Sequence, residues 1–161
     1  SDCTALEVDK NFIGPAALAK AYRFVADPRD EESVDRLKYL NKNSGVWDCT
    51  RCYACVEVCP KGVAPMERIM KMRDLAISEG FKNTSGYRHT KSFVKSVGKF
   101  GRLDEANLAL TSVGFFNILG LIDLAIVGIR AFLRGKLPPI IPHKAKSNEN
   151  IKRIVKKLEN K

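Results

Sequence analysis

At 161 residues the chain is long enough for one domain with appendages, and 45% hydrophobic residues suffice for a core. Its 28 Lys and Arg against 18 Asp and Glu give a net charge of +10, which raises nucleic acid, anionic membrane and acidic proteins as partners. The basic residues do not interleave with aromatics, and no nucleic-acid reading motif accompanies them, so no nucleic-acid partner is expected.

From the N-terminus, Cys3 is followed by a stretch in which Pro15 stands behind Gly14, where a first helical position tolerates proline. Leu18, Ala21, Tyr22 and Val25 then recur at helical spacing and predict a helix from about Pro15 to Ala26, ended by Asp27-Pro28. A second helix, capped by Asp30 or Ser33 and carrying Val34, Leu37 and Leu40, is expected to run out over Asn41 to Gly45. A helical hairpin therefore brings Cys3 toward the next cysteines.

Those cysteines form the run CTRCYACVEVCP from Cys49 to Pro60, spaced C-x2-C-x2-C-x3-C-P. This is the spacing by which bacterial-type ferredoxins hold cubane iron-sulfur clusters, the fourth cysteine serving the neighbouring cluster. Cys49, Cys52 and Cys55 thus share a centre that needs one more thiolate, which Cys3 supplies if it ends an earlier run. Cys59, placed at the start of the outgoing helix, is directed to a different cluster, and Pro60 ends the turn. The three other ligands of that second cluster are expected before Ser1, in a longer chain of which this is the C-terminal part. A structural zinc site remains the alternative, although His89 and His143 are far apart and unpaired. Disulfides fit poorly with five clustered cysteines.

Trp47 is read as a shield between the cluster and water, with ligand contact as the other possibility. Pro65 to Glu79 predicts a third helix, with Ile69, Met72, Leu75 and Ala76 on one face and Gly80 as its stop. Met66, Met70 and Met72 are read as core packing rather than a metal-binding set. Lys82, Arg88, Lys91, Lys95, Lys99 and Arg102 follow without an intervening acid. They lie on a basic amphipathic stretch, His89 to Gly101, with Phe93, Val94, Val97 and Phe100, and are expected to dock an acidic subunit or a lipid surface. His89 is read as a surface histidine.

Leu103 to Leu110 predicts a further helix. Val113 to Leu133 is long enough to span a bilayer, but Asp123 and Arg130 each cost about 2.5–3.5 kcal/mol near its centre. The expectation is a helix buried against its own domain or a partner, with membrane contact as the alternative. GKLPPIIPH is expected to be extended, and Asn150 to Leu158 predicts a last amphipathic helix with Ile151, Ile154, Val155 and Leu158 on one face.

WDCTRCYACVEVCPKGVAPMERI resembles the second cysteine cluster of the iron-sulfur subunit of succinate dehydrogenase and fumarate reductase, where the loop reads C-x5-C-x3-C-P-K-G. Cys49, Cys55 and Cys59 match that spacing. FIGPAALAKAYRFVADPRDE also resembles that family's helix after its first cysteine run. The remainder, ending in RGKLPPIIPHK, is more similar to the small iron-sulfur subunit of heterodisulfide reductases, which stands as the alternative within electron transfer.

The resemblance implies an all-α chain: an α-helical ferredoxin domain over 1–102, N-terminally truncated, and a helical C-terminal extension over 103–161 for subunit or membrane docking. It implies an electron-transfer subunit of an oxidoreductase, with no catalytic residue of its own. A flavoprotein subunit is implied on one side and a membrane-associated or cysteine-rich disulfide-reductase-like subunit on the other. A [2Fe-2S] domain is implied upstream, and a location in the cytoplasm, peripheral on the inner face of the cytoplasmic membrane. Cys52 departs from the best-known succinate dehydrogenases, which lack a cysteine there and hold [3Fe-4S]. A fourth thiolate implies [4Fe-4S] and puts their usual quinone site in doubt.

Overall fold

Proline and glycine punctuate the first half of the chain and set where its helices begin. In the computed structural model, which describes residues 2–42, 44–139 and 143–159, those residues form helices and turns and no strand. Two compact units divide after Thr84, Ser1–Thr84 and Ser85–Lys161. The helix that includes Lys91 and Lys99 packs on helices that follow it, and so belongs to the second of these units.

The first unit contains α1 (Thr4–Val8), α2 (Pro15–Val25), α3 (Ser33–Leu40), a 3-10 turn (Val46–Asp48), α4 (Ala54–Glu57) and α5 (Pro65–Ser78). Gly14, at φ +89°, swings the chain into Pro15 at the first turn of α2. α2 and α5 pack side by side, with α3 against both. Leu18, Val25, Leu37, Leu40, Val46, Ile69, Met72 and Ala76 meet between them in one buried core. Met66 and Met72 are buried and Met70 packs against the core, as expected of gap-filling thioethers. Neither Asp30 nor Ser33 caps α3; Glu32 occupies that position without a side-chain bond. Asp30 acts just ahead of the helix, accepting from the Glu32 N–H and from the Arg36 guanidinium.

Gly45 joins α3 to the segment that enters the cysteine loop. A Cβ there would lie 2.0 Å from the Leu40 carbonyl oxygen and 2.8 Å from that of Lys42, closer than any rotamer change relieves. Gly45→Ala is expected to cost about 1–3 kcal/mol, seen as a lowered Tm; an unchanged Tm would show that this turn yields freely.

The second unit contains α6 (Ser85–Phe100), α7 (Glu105–Val113), α8 (Ile118–Leu133) and α9 (Asn148–Glu159), with α6 packed on both α7 and α9. The buried face of α6 carries Ser92 and Ser96, while Phe93 and Val94 are exposed. Ser96 Oγ accepts from the Asp104 N–H at 2.6 Å and donates to the Arg102 carbonyl, fixing the α6–α7 turn, and Asp104 caps α7. Arg88 is spent internally, donating to the Ser112 and Val113 carbonyls, and His89 sits at the surface with Nδ1 3.0 Å from Ser112 Oγ.

The long apolar segment is broken at Gly114, which adopts φ +88°, so its helix begins only at Ile118 behind the Asn117 cap. Sixteen residues extend about 24 Å, short of a hydrocarbon core about 30 Å thick. Among the described residues no helix is long and apolar enough to cross a membrane. The expected burial of this segment against its own domain is also overturned, because no residue of α8 is buried. Of GKLPPIIPH, residues 140–142 lie outside the described residues, and Lys136 to Pro139 are non-helical.

Candidate metal centre

The 3-10 turn delivers the chain to Cys49, whose backbone is extended. Arg51 and Tyr53 then both take left-handed conformations, at φ 58° and 66°. Left-handed residues placed this way reverse the local direction of the backbone and turn successive N–H groups toward one concavity, the geometry that receives anions and thiolates. α4 begins at once, with Cys55 in its first turn. Cys59 lies on the turn beyond α4, six residues before α5 opens at Pro65, and not at the start of that helix.

Cys3 precedes α1, and it and Cys49 pack against the core. The five cysteines are free thiols, four half-buried and Cys52 exposed. Burial pushes the Cys55 thiol up; the Met66 N–H opposes this, and the neighbouring Cys49, Cys52 and Cys3 sulfurs add to it. Cys3, Cys49 and Cys52 are thus each close enough for their charge to reach Cys55. The Cys52 thiol is held down chiefly by the Ala54 N–H, helped by the Thr4 hydroxyl 3.8 Å away.

Cys59 is pulled down by a different set of donors, the N–H groups of Val63, Lys61 and Gly62. It opens on a cleft of about 770 Å³ walled by Ala16 and Ala19 of α2 and by Ala26 just past its end, with Lys20, Arg23 and Arg68 around it. A smaller cleft of about 250 Å³ is shared by Cys3, Cys55 and Cys59.

Among the described residues no group of three or more His, Cys, Asp or Glu is arranged to hold a single metal ion. A cubane asks for something else, one terminal thiolate on each of its irons, so its ligands stand farther apart than those of a mononuclear site. The donor set fits that demand: soft thiols, with backbone N–H groups supplied to the sulfurs.

One residue essential to this arrangement is not among those singled out from the sequence. Arg73 of α5 is buried, and its guanidinium donates to the carbonyls of Val46 (2.8 Å), Trp47 (3.1 Å) and Cys49 (2.8 Å). It also lies 5.1 Å from the Trp47 ring centroid. Burial, and next the Arg51 charge, pull its pKa down to about 10, which leaves it a full cation at neutral pH. Trp47 is half-buried, packed on the core, with Nε1 donating to Asn41 Oδ1 at 2.6 Å. Arg73 was legible: it shares the 69, 72, 76 stripe of α5 with three apolar residues, and a charge on a buried stripe signals a polar anchor.

A helical domain that brings three thiols within reach of Cys55 and carries a fifth on the turn beyond α4 offers the donor set of an iron-sulfur protein. Residues 1–63 match the family described as the 4Fe-4S dicluster domain. The chain is 29% identical over 160 residues to the 8-methylmenaquinol:fumarate reductase iron-sulfur subunit of Wolinella succinogenes, an alignment covering 96% of this chain and 49% of that protein. It is 42% identical over 69 residues to the fumarate reductase iron-sulfur subunit of Escherichia coli O6:H1, covering 43% of this chain and 28% of that one. The succinate dehydrogenase iron-sulfur subunit of Coxiella burnetii is 40% identical over 68 residues, 42% of this chain and 29% of its own length. The chain therefore spans about half, or less, of these relatives. No solved structure matches it significantly. The resemblance to iron-sulfur subunits of succinate dehydrogenase and fumarate reductase is borne out, as is the all-helical fold. The first relative aligns along nearly the whole chain, so its likeness takes in the helical extension as well.

Proposed function

We propose that this chain is the electron-relay part of a succinate dehydrogenase or fumarate reductase type complex. It passes electrons between a flavoprotein subunit and a membrane-associated or disulfide-handling subunit. The observation that carries this reading is that three cysteines bear on Cys55, whereas Cys59 takes its N–H donors from Val63, Lys61 and Gly62 and opens on a further cleft besides the one it shares with Cys3 and Cys55. In this assignment Cys3, Cys49, Cys52 and Cys55 hold one [4Fe-4S] cluster. Cys59 contributes one ligand to a second, whose other thiolates lie outside this sequence, as does any [2Fe-2S] domain. When bound, the clusters supply reversible one-electron transfer. The chain's own groups set the conditions: backbone N–H donors stabilise thiolate charge, Trp47 and the core limit water, and Arg73 places a fixed cation behind the loop. No side chain makes or breaks a substrate bond, and flavin chemistry belongs to the partner. The chain would sit peripherally on the inner face of the cytoplasmic membrane.

Anaerobic reconstitution with iron and sulfide, followed by potentiometric titration, tests this. A brown protein with a reversible couple within the iron-sulfur range of about −700 to +450 mV is expected. A colourless, sulfide-free protein that takes up zinc and shows no couple would contradict it and establish the zinc-stabilised module instead.

A further inference from the structure

The two units differ sharply in charge. Residues 1–84 hold thirteen Lys and Arg against thirteen Asp and Glu, whereas residues 85–161 hold fifteen against five. All of the net +10 therefore resides in the helical extension, the same unit that exposes the most apolar helix of the chain. On α8, Leu121, Leu124, Gly128 and Ala131 are half-buried, and α7 is the element that packs on this helix. Across the helix, Ile118, Ile122, Ile126, Ile129 and Leu133 form an exposed stripe at spacings of four, four, three and four. Asp123, Arg130 and Arg134 recur seven and four residues apart, which puts them on one line between the two faces. Ahead of the helix, Phe116 is 100% exposed. α9 is built alike, with Ile154 and Leu158 exposed beside Lys156 and Lys157.

A soluble surface rarely leaves so continuous an apolar stripe in water, so something covers it. A second copy of the chain would bring two strongly cationic units face to face. An anionic lipid surface satisfies both halves of the pattern: acyl chains for the stripe, headgroup phosphates for the surrounding lysines and arginines. The shortness of α8 and its line of charges suit a helix lying in the interface plane.

We propose that the extension docks directly on an anionic bilayer. α8 lies among the headgroups with its Ile118–Leu133 stripe and Phe116 directed into the acyl chains. This goes beyond the reading above, in which a partner subunit makes the membrane contact, and it needs no cluster, so its test and the cluster tests fail separately.

The test is flotation of the full chain with vesicles of phosphatidylglycerol and phosphatidylethanolamine, beside vesicles of phosphatidylcholine alone. Binding to the anionic vesicles is expected to be at least about tenfold tighter and to weaken as salt rises. Ile122→Glu combined with Ile126→Glu should lower it by at least about tenfold with helicity unchanged, since neither side chain is buried. In Phe116→Trp, added fluorescence should shift to the blue on anionic vesicles and be quenched by brominated lipid. Absence of flotation, flotation indifferent to the double substitution, or an unshifted emission each overturns the proposal. So do two further results without flotation: a dimer broken by the double substitution, which assigns the stripe to a second copy, or its blocking assembly of the parent complex, which assigns it to a protein subunit.

Discussion

Cys52→Ala is expected to convert the cluster of Cys3, Cys49 and Cys55 from [4Fe-4S] to [3Fe-4S] without loss of the cluster. Each iron of a cubane needs one terminal ligand, and removing this thiolate leaves one iron without its own. Cys52 is the exposed member of the group, so no core contact is lost with its sulfur, and the iron it would hold would be left without a protein ligand. The neighbouring thiols stay in place, because Cys49 is tied through its carbonyl to Arg73 and Cys55 sits in α4. Cluster type and net charge both change, so the potential moves as well. Electron paramagnetic resonance of the air-oxidised variant beside the parent checks this: a three-iron signal in the variant alone is the expected outcome. An unchanged four-iron spectrum would make Cys52 a packing residue and require another ligand.

The second large effect is expected at Arg73. Arg73→Met keeps much of the apolar stem but strips the donors from the carbonyls of Val46, Trp47 and Cys49. Leaving a buried acceptor unpaired costs about 1–3 kcal/mol; this applies to Val46, and the half-buried carbonyls of Trp47 and Cys49 add less. The variant should therefore lose about 3 kcal/mol, out of a total stability of only about 5–15 kcal/mol. That corresponds to a fall in Tm on the order of 10–20 °C for a domain of this size. The cluster should also become harder to reduce, since a fixed cation behind the loop favours the more negative reduced state. Arg73→Lys separates the two contributions. It keeps the charge but lacks the planar fork that reaches several carbonyls at once, so it should recover more of the potential than of the stability. Unchanged melting in Arg73→Met would remove Arg73 from the account of how the loop is held.

The cysteine loop and the helices around it were legible because their signals are local. Pro15 and Pro65 start α2 and α5 where the sequence placed those starts, and the stripe of Ile69, Met72 and Ala76 faces the core as its period required. The extension was less legible, because burial there is decided between helices. On α6 the apolar Phe93 and Val94 are exposed and Ser92 and Ser96 take the buried face, since small side chains let the α6–α7 turn approach and be bonded through Ser96 Oγ. Hydropathy likewise treated 113–133 as one buried or spanning segment. The break at Gly114 and the Asn117 cap were present as residues, but apolarity alone carries no information about what covers a helix. Gly45 is a similar case: as a residue after Asn-Ser it reads as an ordinary loop glycine, and only the approach of the Leu40 carbonyl shows why a side chain is not tolerated there.

The assignment of four cysteines to one cluster and the fifth to another is tested most directly by iron and acid-labile sulfide analysis of the anaerobically reconstituted chain. The parent and its Cys59→Ser variant should be measured side by side. The account predicts about four irons and four sulfides per chain in both, the content of a single cubane, because Cys59 contributes nothing to the cluster that this chain completes by itself. About eight of each in the parent, or loss of the cluster in Cys59→Ser, would contradict it.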